Sequence, residues 1–303
     1  MLGGGLKTTS LGFLSSVCYL NIIGHEMNKL NVSILIVIFS LITGEYQIYA
    51  QWTKTNAPNN ITYYSLKMFG TNIYACSDSG LFRSTADDDK WIALNEGLTN
   101  RIVYSIGKNG NDLYACTNGG IFRSTNDGAL WLKTNNGLTD TTIMTIAFIG
   151  SNIFIGTYGG GVFRSNDNGF KWDQINNGLL NTKIISLVAY GTKLYAATGS
   201  GVFLSSNNGD NWTIINDGMG TNNYTLSLIV MGYSIFVGTN YSEGNTISYP
   251  YPTDGGLFVS TNAGTKWNYL NNELKYHSVN SFAGNEKSFS QQLQMEVFIF
   301  QLT

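Results

Sequence analysis

Charge is scarce in this chain. Asp, Glu, Lys and Arg make up 12% of its 303 residues, about half the usual share. The net charge is −2. No basic field exists to draw in nucleic acid or an acidic membrane, so neither is expected as a partner. Histidine is scarcer still. His25 and His277 stand alone without metal-ligand spacing, and neither a metal site nor a cofactor is expected. Asp87-Asp88-Asp89 lacks the Gly and distal Glu of a calcium loop and reads as a solvated turn. The repeated part of the chain has no helical apolar period, and its turns come too often for helices of useful length.

What is present is tryptophan in step. Trp91, Trp131, Trp172, Trp212 and Trp267 each close one short pattern, Ser-x-(Asn/Asp)-x-Gly-x-x-Trp. Four copies are intact: Ser124-x-Asn126-x-Gly128 to Trp131, Ser165-x-Asp167-x-Gly169 to Trp172, Ser205-x-Asn207-x-Gly209 to Trp212, and Ser260-x-Asn262-x-Gly264 to Trp267. The copy from Ser84 to Trp91 is worn, with Ala86 and Asp88 at the diagnostic places. A step of roughly 40 residues is in the range of propeller and solenoid repeats.

Residues 183–216 show the unit. An apolar run from Ile184 ends at Gly191, and Leu194–Thr198 follows a two-residue turn. Gly199–Gly201 turn the chain into Val202–Ser205, and the Asn207-Asn208-Gly209 turn leads to a fourth run near Trp212. Short runs rich in β-branched and aromatic residues, bounded by Gly, Asn or Ser, are strands. Four short antiparallel strands per repeat, set radially, predict an all-β propeller of four-stranded antiparallel blades. Complete units run about 61–96, 101–137, 142–178, 183–218 and 224–272. Gln51–Asn56, with Trp52, looks like an isolated fourth strand, and Val279–Phe282 begins a further unit. Six blades are expected, the last shared by the two chain ends, which would remove two exposed sheet edges. An open stack or a seven-bladed ring is the alternative.

The repeated pattern resembles the Asp box, or bacterial neuraminidase repeat. With Gly-Gly-(Ile/Val/Leu)-Phe before it and Trp-x-x-x-Asn-x-Gly-Leu after it, it is similar to secreted bacterial propellers. These include proteins like photosystem II stability/assembly factors, sortilin-type propellers and exo-α-sialidases. The resemblance covers about Gln51 to Asn285. It implies the fold, and it implies that the box is a structural hairpin between third and fourth strands, away from sialidase active sites.

Other repeat positions carry little chemistry. Cys76 and Cys116 share one point of the second strand, held elsewhere by Gly156, Ala197 and Gly238, so the position wants a small side chain. Equivalent atoms of adjacent blades should exceed the roughly 7 Å Cα limit for a disulfide, and two buried free thiols are expected. Arg83, Arg123 and Arg164 share one register, replaced later by Leu204 and Val259. They read as packing between blades, with the guanidinium reaching solvent, rather than as a sialidase arginine cluster. The Arg-Ile-Pro motif of many sialidases is absent.

The chain ends carry separate signals. Met27–Asn31 is a short positive start, Val32–Ile42 an apolar run of eleven residues, and Ala50 a small residue before Gln51. Residues 27–50 therefore read as a secretory signal peptide cleaved near Ala50, the apolar run being short for a membrane span; an uncleaved N-terminal anchor is the alternative. Residues 1–26, with Cys18, read as a mis-assigned leader, and 51–303 as one propeller, monomeric and extracellular or at the cell surface, with no membrane contact after cleavage. At the other end the pattern is lost from Ser288, and Ser290–Thr303 can be back-translated. Read one base earlier, allowed codons spell Ala-Ala-Thr-Pro-Asn-Gly-Gly-Val-Tyr-Phe-Ser-Thr-Asp, close to Ala196–Ser206. A frameshift over about the last fifteen residues, and a longer parent, are expected.

One segment breaks the repeat. About a dozen residues, Tyr241–Asp254, are inserted between the second and third strands of the fifth unit. Tyr241, Glu243, Tyr249, Tyr251 and Asp254 are the candidate binding residues, because tyrosine on a Pro-stiffened loop stacks on sugar or protein at low entropic cost. A tolerated surface insertion is the plainer reading. The functional expectation is a non-enzymatic propeller presenting loops to a protein or glycan. The alternative is a sialidase-like glycoside hydrolase. That would need paired carboxylates about 5–10 Å apart, drawn from Glu96, Asp140, Asp217, Glu243 and Asp254.

Overall fold

The computed structural model describes residues 33–39, 57–85, 88–220, 224–243, 252–270, 278–283 and 295–301. Among them every regular element is a strand. After β1 (Ser33–Phe39) come five antiparallel four-stranded sheets, each in simple sequence order. Blade one is β2 (Tyr63–Phe69), β3 (Asn72–Ser77), β4 (Gly80–Thr85) and β5 (Asp88–Ala93). Blade two is β6 (Val103–Asn109), β7 (Asp112–Thr117), β8 (Gly120–Ser124) and β9 (Leu132–Lys133). Blade three is β10 (Ile143–Ile149), β11 (Asn152–Thr157), β12 (Val162–Ser165) and β13 (Asp173–Gln174). Blade four is β14 (Ile184–Tyr190), β15 (Lys193–Thr198), β16 (Gly201–Ser205) and β17 (Thr213–Ile214). Blade five is β18 (Thr225–Met231), β19 (Ser234–Glu243), β20 (Pro252–Ser260) and β21 (Asn268–Tyr269).

Local chemistry explains the shared outline. Each first hairpin turns on a glycine at its first loop position, Gly70, Gly110, Gly150, Gly191 or Gly232, with φ between 55° and 64°. That is the pattern of a type II′ hairpin, whose twist suits the strands it joins. At the second turn an asparagine after the outer strand closes the sheet. Asn135 Oδ1 accepts the N–H of Ile121 at 2.9 Å, and Asn176 and Asn216 repeat the contact on Val162 and Val202.

Blades pack face to face, so both faces of each sheet are buried and strict alternation is lost. One apolar cluster joins Tyr114, Cys116 and Ile121 of blade two to Ile143, Ile155 and Phe163 of blade three. Every first strand of the five blades carries a bulge, after which Ser65, Ser105, Thr145, Ser186 and Ser227 oppose Cys76, Cys116, Gly156, Ala197 and Gly238. The hydroxyls fasten neighbours: Ser65 Oγ donates to the Tyr104 carbonyl and Ser227 Oγ to that of Val279. The small-residue rule follows from the same junction. A Cβ on Gly238 would lie 2.2 Å from the Val279 oxygen, and one on Gly156 2.4 Å from Ile184 Cγ2. Cys76 and Cys116 are both buried free thiols.

The sixth sheet has the order β1, β23 (Met295–Gln301), β22 (Phe282–Ala283), so the two chain ends share it. Its first strand begins where Val279–Phe282 opens a unit. The N-terminal strand within it is 33–39, inside the apolar run; Trp52 lies outside the described residues. The ring is open, with junctions running from blade one through blade five to the sixth sheet.

Two elements differ from the sequence expectation. In blade one the worn pattern lacks the box bonds of the other four: Ser84 Oγ donates to the Thr85 carbonyl, Asp88 pairs with Thr85, and the fourth strand starts three residues before Trp91. In blade five much of the insert is strand. Tyr241, Ser242 and Glu243 pair with Asp254, Thr253 and Pro252, lengthening one hairpin.

Candidate functional site

The repeated boxes are turns that satisfy their own backbone. Ser124 Oγ accepts the Gly128 N–H at 2.9 Å and donates to Asn126 Oδ1, which accepts the Leu130 N–H. The sets Ser165, Asp167 and Gly169; Ser205, Asn207 and Gly209; and Ser260, Asn262 and Gly264 repeat these bonds. Trp131, Trp172, Trp212 and Trp267 are buried. Their indole N–H groups reach back to carbonyls of the preceding blade, at Leu94, Thr134, Ile175 and Ile215.

The three arginines are ion-paired, not directed at solvent. Arg83 pairs with Asp127 and Arg164 with Asp210, each in the next blade. Arg123 pairs with Asp112 on its own second strand and lies 5.3 Å from the Phe170 ring of the next box. An acid within reach holds a guanidinium better than water does when the stem is packed. These arginines brace separate junctions and form no cluster.

The carboxylates also sit apart. Asp140 accepts N–H bonds from Thr142, Gly159 and Gly160 at 2.7–2.9 Å. Burial alone would raise its pKa, but these donors outweigh it and hold the carboxyl below its ordinary value. It is an anion that pins a turn, not an acid. Glu96 and Asp217 are exposed in the turns after blades one and four, where their carbonyls accept the backbone N–H of Trp131 and Trp267. Glu243 and Asp254 lie in the lengthened hairpin. Tyr249, Tyr251, Asp87 and His277 lie outside the described residues.

Strand direction sorts the turns onto two faces. First hairpins and boxes share one face, while second hairpins and blade-to-blade links share the other. On this second face Tyr158, Lys183 and Tyr224 meet. Lys183 Nζ bonds the Tyr224 hydroxyl at 2.7 Å and stands 4.4 Å from the Tyr158 ring centroid. Burial would lower the Lys183 pKa, but the two tyrosines outweigh it and raise it. Tyr158 is 50% exposed. The lengthened hairpin of blade five rises from the same face. Sequence reading missed this cluster because its members come from three blades. Lys183 and Tyr224 do share a repeat column with Ile102 and Thr142, and comparing columns would have flagged them.

The axis holds a cavity of about 430 Å³ lined by first strands from all six sheets. Hydroxyls of Ser65, Ser105, Thr145, Ser186, Ser227 and Ser281 ring it, and Lys67 is its one ionisable lining residue among those described. Lys67 is enclosed by protein around the axis, and burial lowers its pKa to about 8.

No protein-family model matches this chain, and no curated protein matches it. Solved structures do. An ancestral GH74 enzyme matches with a TM-score of 0.59 at 18% identity, over 74% of this chain and 33% of its own. The extracellular domain of a one-component system, BT4673 from B. thetaiotaomicron, gives 0.59 at 16%, over 94% and 40%. YCF48 bound to D1 peptide gives 0.56 at 13%, over 83% and 81%. The chain thus spans about a third of the ancestral GH74 enzyme's length. At such identities the likeness shows the fold, a β-propeller, and nothing finer.

Proposed function

We propose that this chain is a secreted or cell-surface propeller that binds a protein or glycan on the face of its second hairpins and performs no catalysis there. The observation that carries this is the lengthened β19–β20 hairpin rising from the same face as the Tyr158–Lys183–Tyr224 cluster. Exposed aromatic rings beside a fixed cation suit stacking and polar contact at low entropic cost. The likeness to an extracellular domain supports a location outside the cell, and the likeness to a peptide-bound propeller supports a binding role.

The glycoside hydrolase reading has its own support in the GH74 neighbours. It is the weaker one here because Glu96, Asp140 and Asp217 belong to three different blade junctions, and Asp140 is committed to three amides. A glycan array decides, run with purified protein and with a variant whose residues 244–251 are cut to a two-residue turn. Retention of a defined glycan class by the parent, lost in the variant, is expected. Turnover of sialosides, aryl glycosides or xyloglucan, abolished by a single carboxylate substitution on this face, would overturn the proposal.

A further inference from the structure

The junction between blades four and five departs from the three before it, on the face of the boxes. In those three, an arginine of the third strand closes the groove between blades. Arg83 and Arg164 bond the carbonyls of Asp127 and Asn208, and Arg123 covers Phe170. Beneath the first two arginines, a second-strand tyrosine also reaches the next box: Tyr74 donates to Asp127 Oδ1 and Tyr114 to the Asn168 carbonyl.

At the junction of blades four and five the tyrosine is kept, as Tyr195, but its surroundings change. Leu204 stands where the arginines stand, paired across the sheet with Tyr195. Lys193 takes the strand position that Asp112 holds in blade two. Ala263 takes the left-handed box position of Asp127, Asn168 and Asn208. A groove of about 430 Å³ is left, walled by Tyr190, Lys193 and Tyr195 on one side and by Tyr233 and Thr261–Ala263 on the other. Tyr195 is largely buried, but it lines the groove, and its hydroxyl makes no hydrogen bond to any described residue, unlike its two siblings. Tyr233 fills the second position of its hairpin turn, where the other blades carry Thr71, Asn111, Ser151 and Thr192, and it is 88% exposed; Tyr190 is 40% exposed.

We propose that this groove binds a sugar acid, a pyranose ring bearing one carboxylate. Two exposed tyrosines flank the opening, and aromatic faces stack on the C–H face of a pyranose. Among the described residues Lys193 is the groove's one charged lining residue and no acid lines it, so the complementary group is a single anion. The Tyr195 hydroxyl donates to a ring or hydroxyl oxygen. The volume admits one or two rings, so the site reads a terminal or isolated unit. This groove and the second-hairpin face are on opposite sides, and each proposal stands without the other.

The test is titration calorimetry at low salt with α-1,4-linked galacturonic acid trimer and with its fully methyl-esterified, neutral form. The acid should bind and the ester bind at least about tenfold more weakly, the equivalent of one charged contact. Lys193→Met and Tyr233→Ala should each weaken the acid about tenfold, while the trimmed 244–251 variant should bind it unchanged. Both substitutions lie at the surface, and an unaltered melting temperature checks their folding. No heat up to 10-millimolar-range trimer (roughly the weakest useful affinity), equal binding of the ester, or unaffected binding by both variants would each overturn the proposal.

Discussion

The indole N–H of Trp172 donates to the carbonyl oxygen of Thr134 at 2.8 Å, and Thr134 belongs to the preceding blade. The same bond recurs for Trp131 on Leu94, Trp212 on Ile175 and Trp267 on Ile215. In each case the acceptor lies three positions beyond the preceding blade's own tryptophan. The box therefore does two things at once. It closes a turn within its blade and anchors that blade to the one before.

Removing such a tryptophan should cost both packing and an anchored carbonyl. Trp172→Ala should lose about 3–5 kcal/mol, as buried aromatic truncations do. Urea unfolding monitored by circular dichroism measures it, and an unchanged midpoint would refute the anchoring role.

Trp91 is the informative exception. Its indole nitrogen is buried with no hydrogen-bond partner among the described residues. The three-residue rule points to the carbonyl of Thr55, counted from Trp52. Trp52→Ala and Trp91→Phe should then be coupled by at least about 0.5 kcal/mol in a double-mutant cycle. Strict additivity would remove Gln51–Asn56 from the closing blade.

Small residues at the second-strand column should be replaceable only by small residues. Gly238→Val must push against the Val279 backbone carbonyl and should destabilise by about 1–3 kcal/mol. Cys116→Ala at the same column should cost less. Equal melting temperatures for the two would contradict the packing described.

Alkaline pH should separate two buried groups of opposite sign. Burial pushes the Cys76 thiol from 9.0 up to about 12, against smaller opposing effects of Ser65 and Lys67. The native state keeps a proton that the unfolded chain loses, so this stability is complete below pH 9 and falls between 9 and 12. Lys67 works the other way: burial lowers it from 10.5 to about 8, so stability rises between those values as the native state is relieved of a charge. Urea titrations across pH 7–11 should show a shallower alkaline loss for Cys76→Ala than for the parent. Lys67→Met should lack the gain above pH 8. Identical pH profiles would overturn both assignments.

Fold and candidate site were unequally legible in the sequence. Blade outlines could be read because turns impose strict chemistry. Only glycine readily takes the left-handed position after Ile149 or Tyr190, and only a short oxygen-bearing side chain can close the loop at Ser165 and Asp167. The arginine column was legible as packing, but its acids were not, since Asp127 and Asp210 lie 44 and 46 residues from their partners. Tyr158, Lys183 and Tyr224 meet only because the blades are radial. The open groove shows itself by what Leu204 and Lys193 fail to repeat, a signal visible in aligned repeat columns and invisible in any single one.

The backward reach of the tryptophans gives the ring a direction in time as well as in space. A chain leaves the ribosome from its N-terminus, and domains form as they emerge. Each new blade from the second onward meets an anchor that has already been made, so assembly can advance one unit at a time without waiting for downstream sequence. A chain released after Gly178 should already hold blades one to three. Shortening from the C-terminus removes passengers, while damage near the start takes away the support on which every later blade is laid.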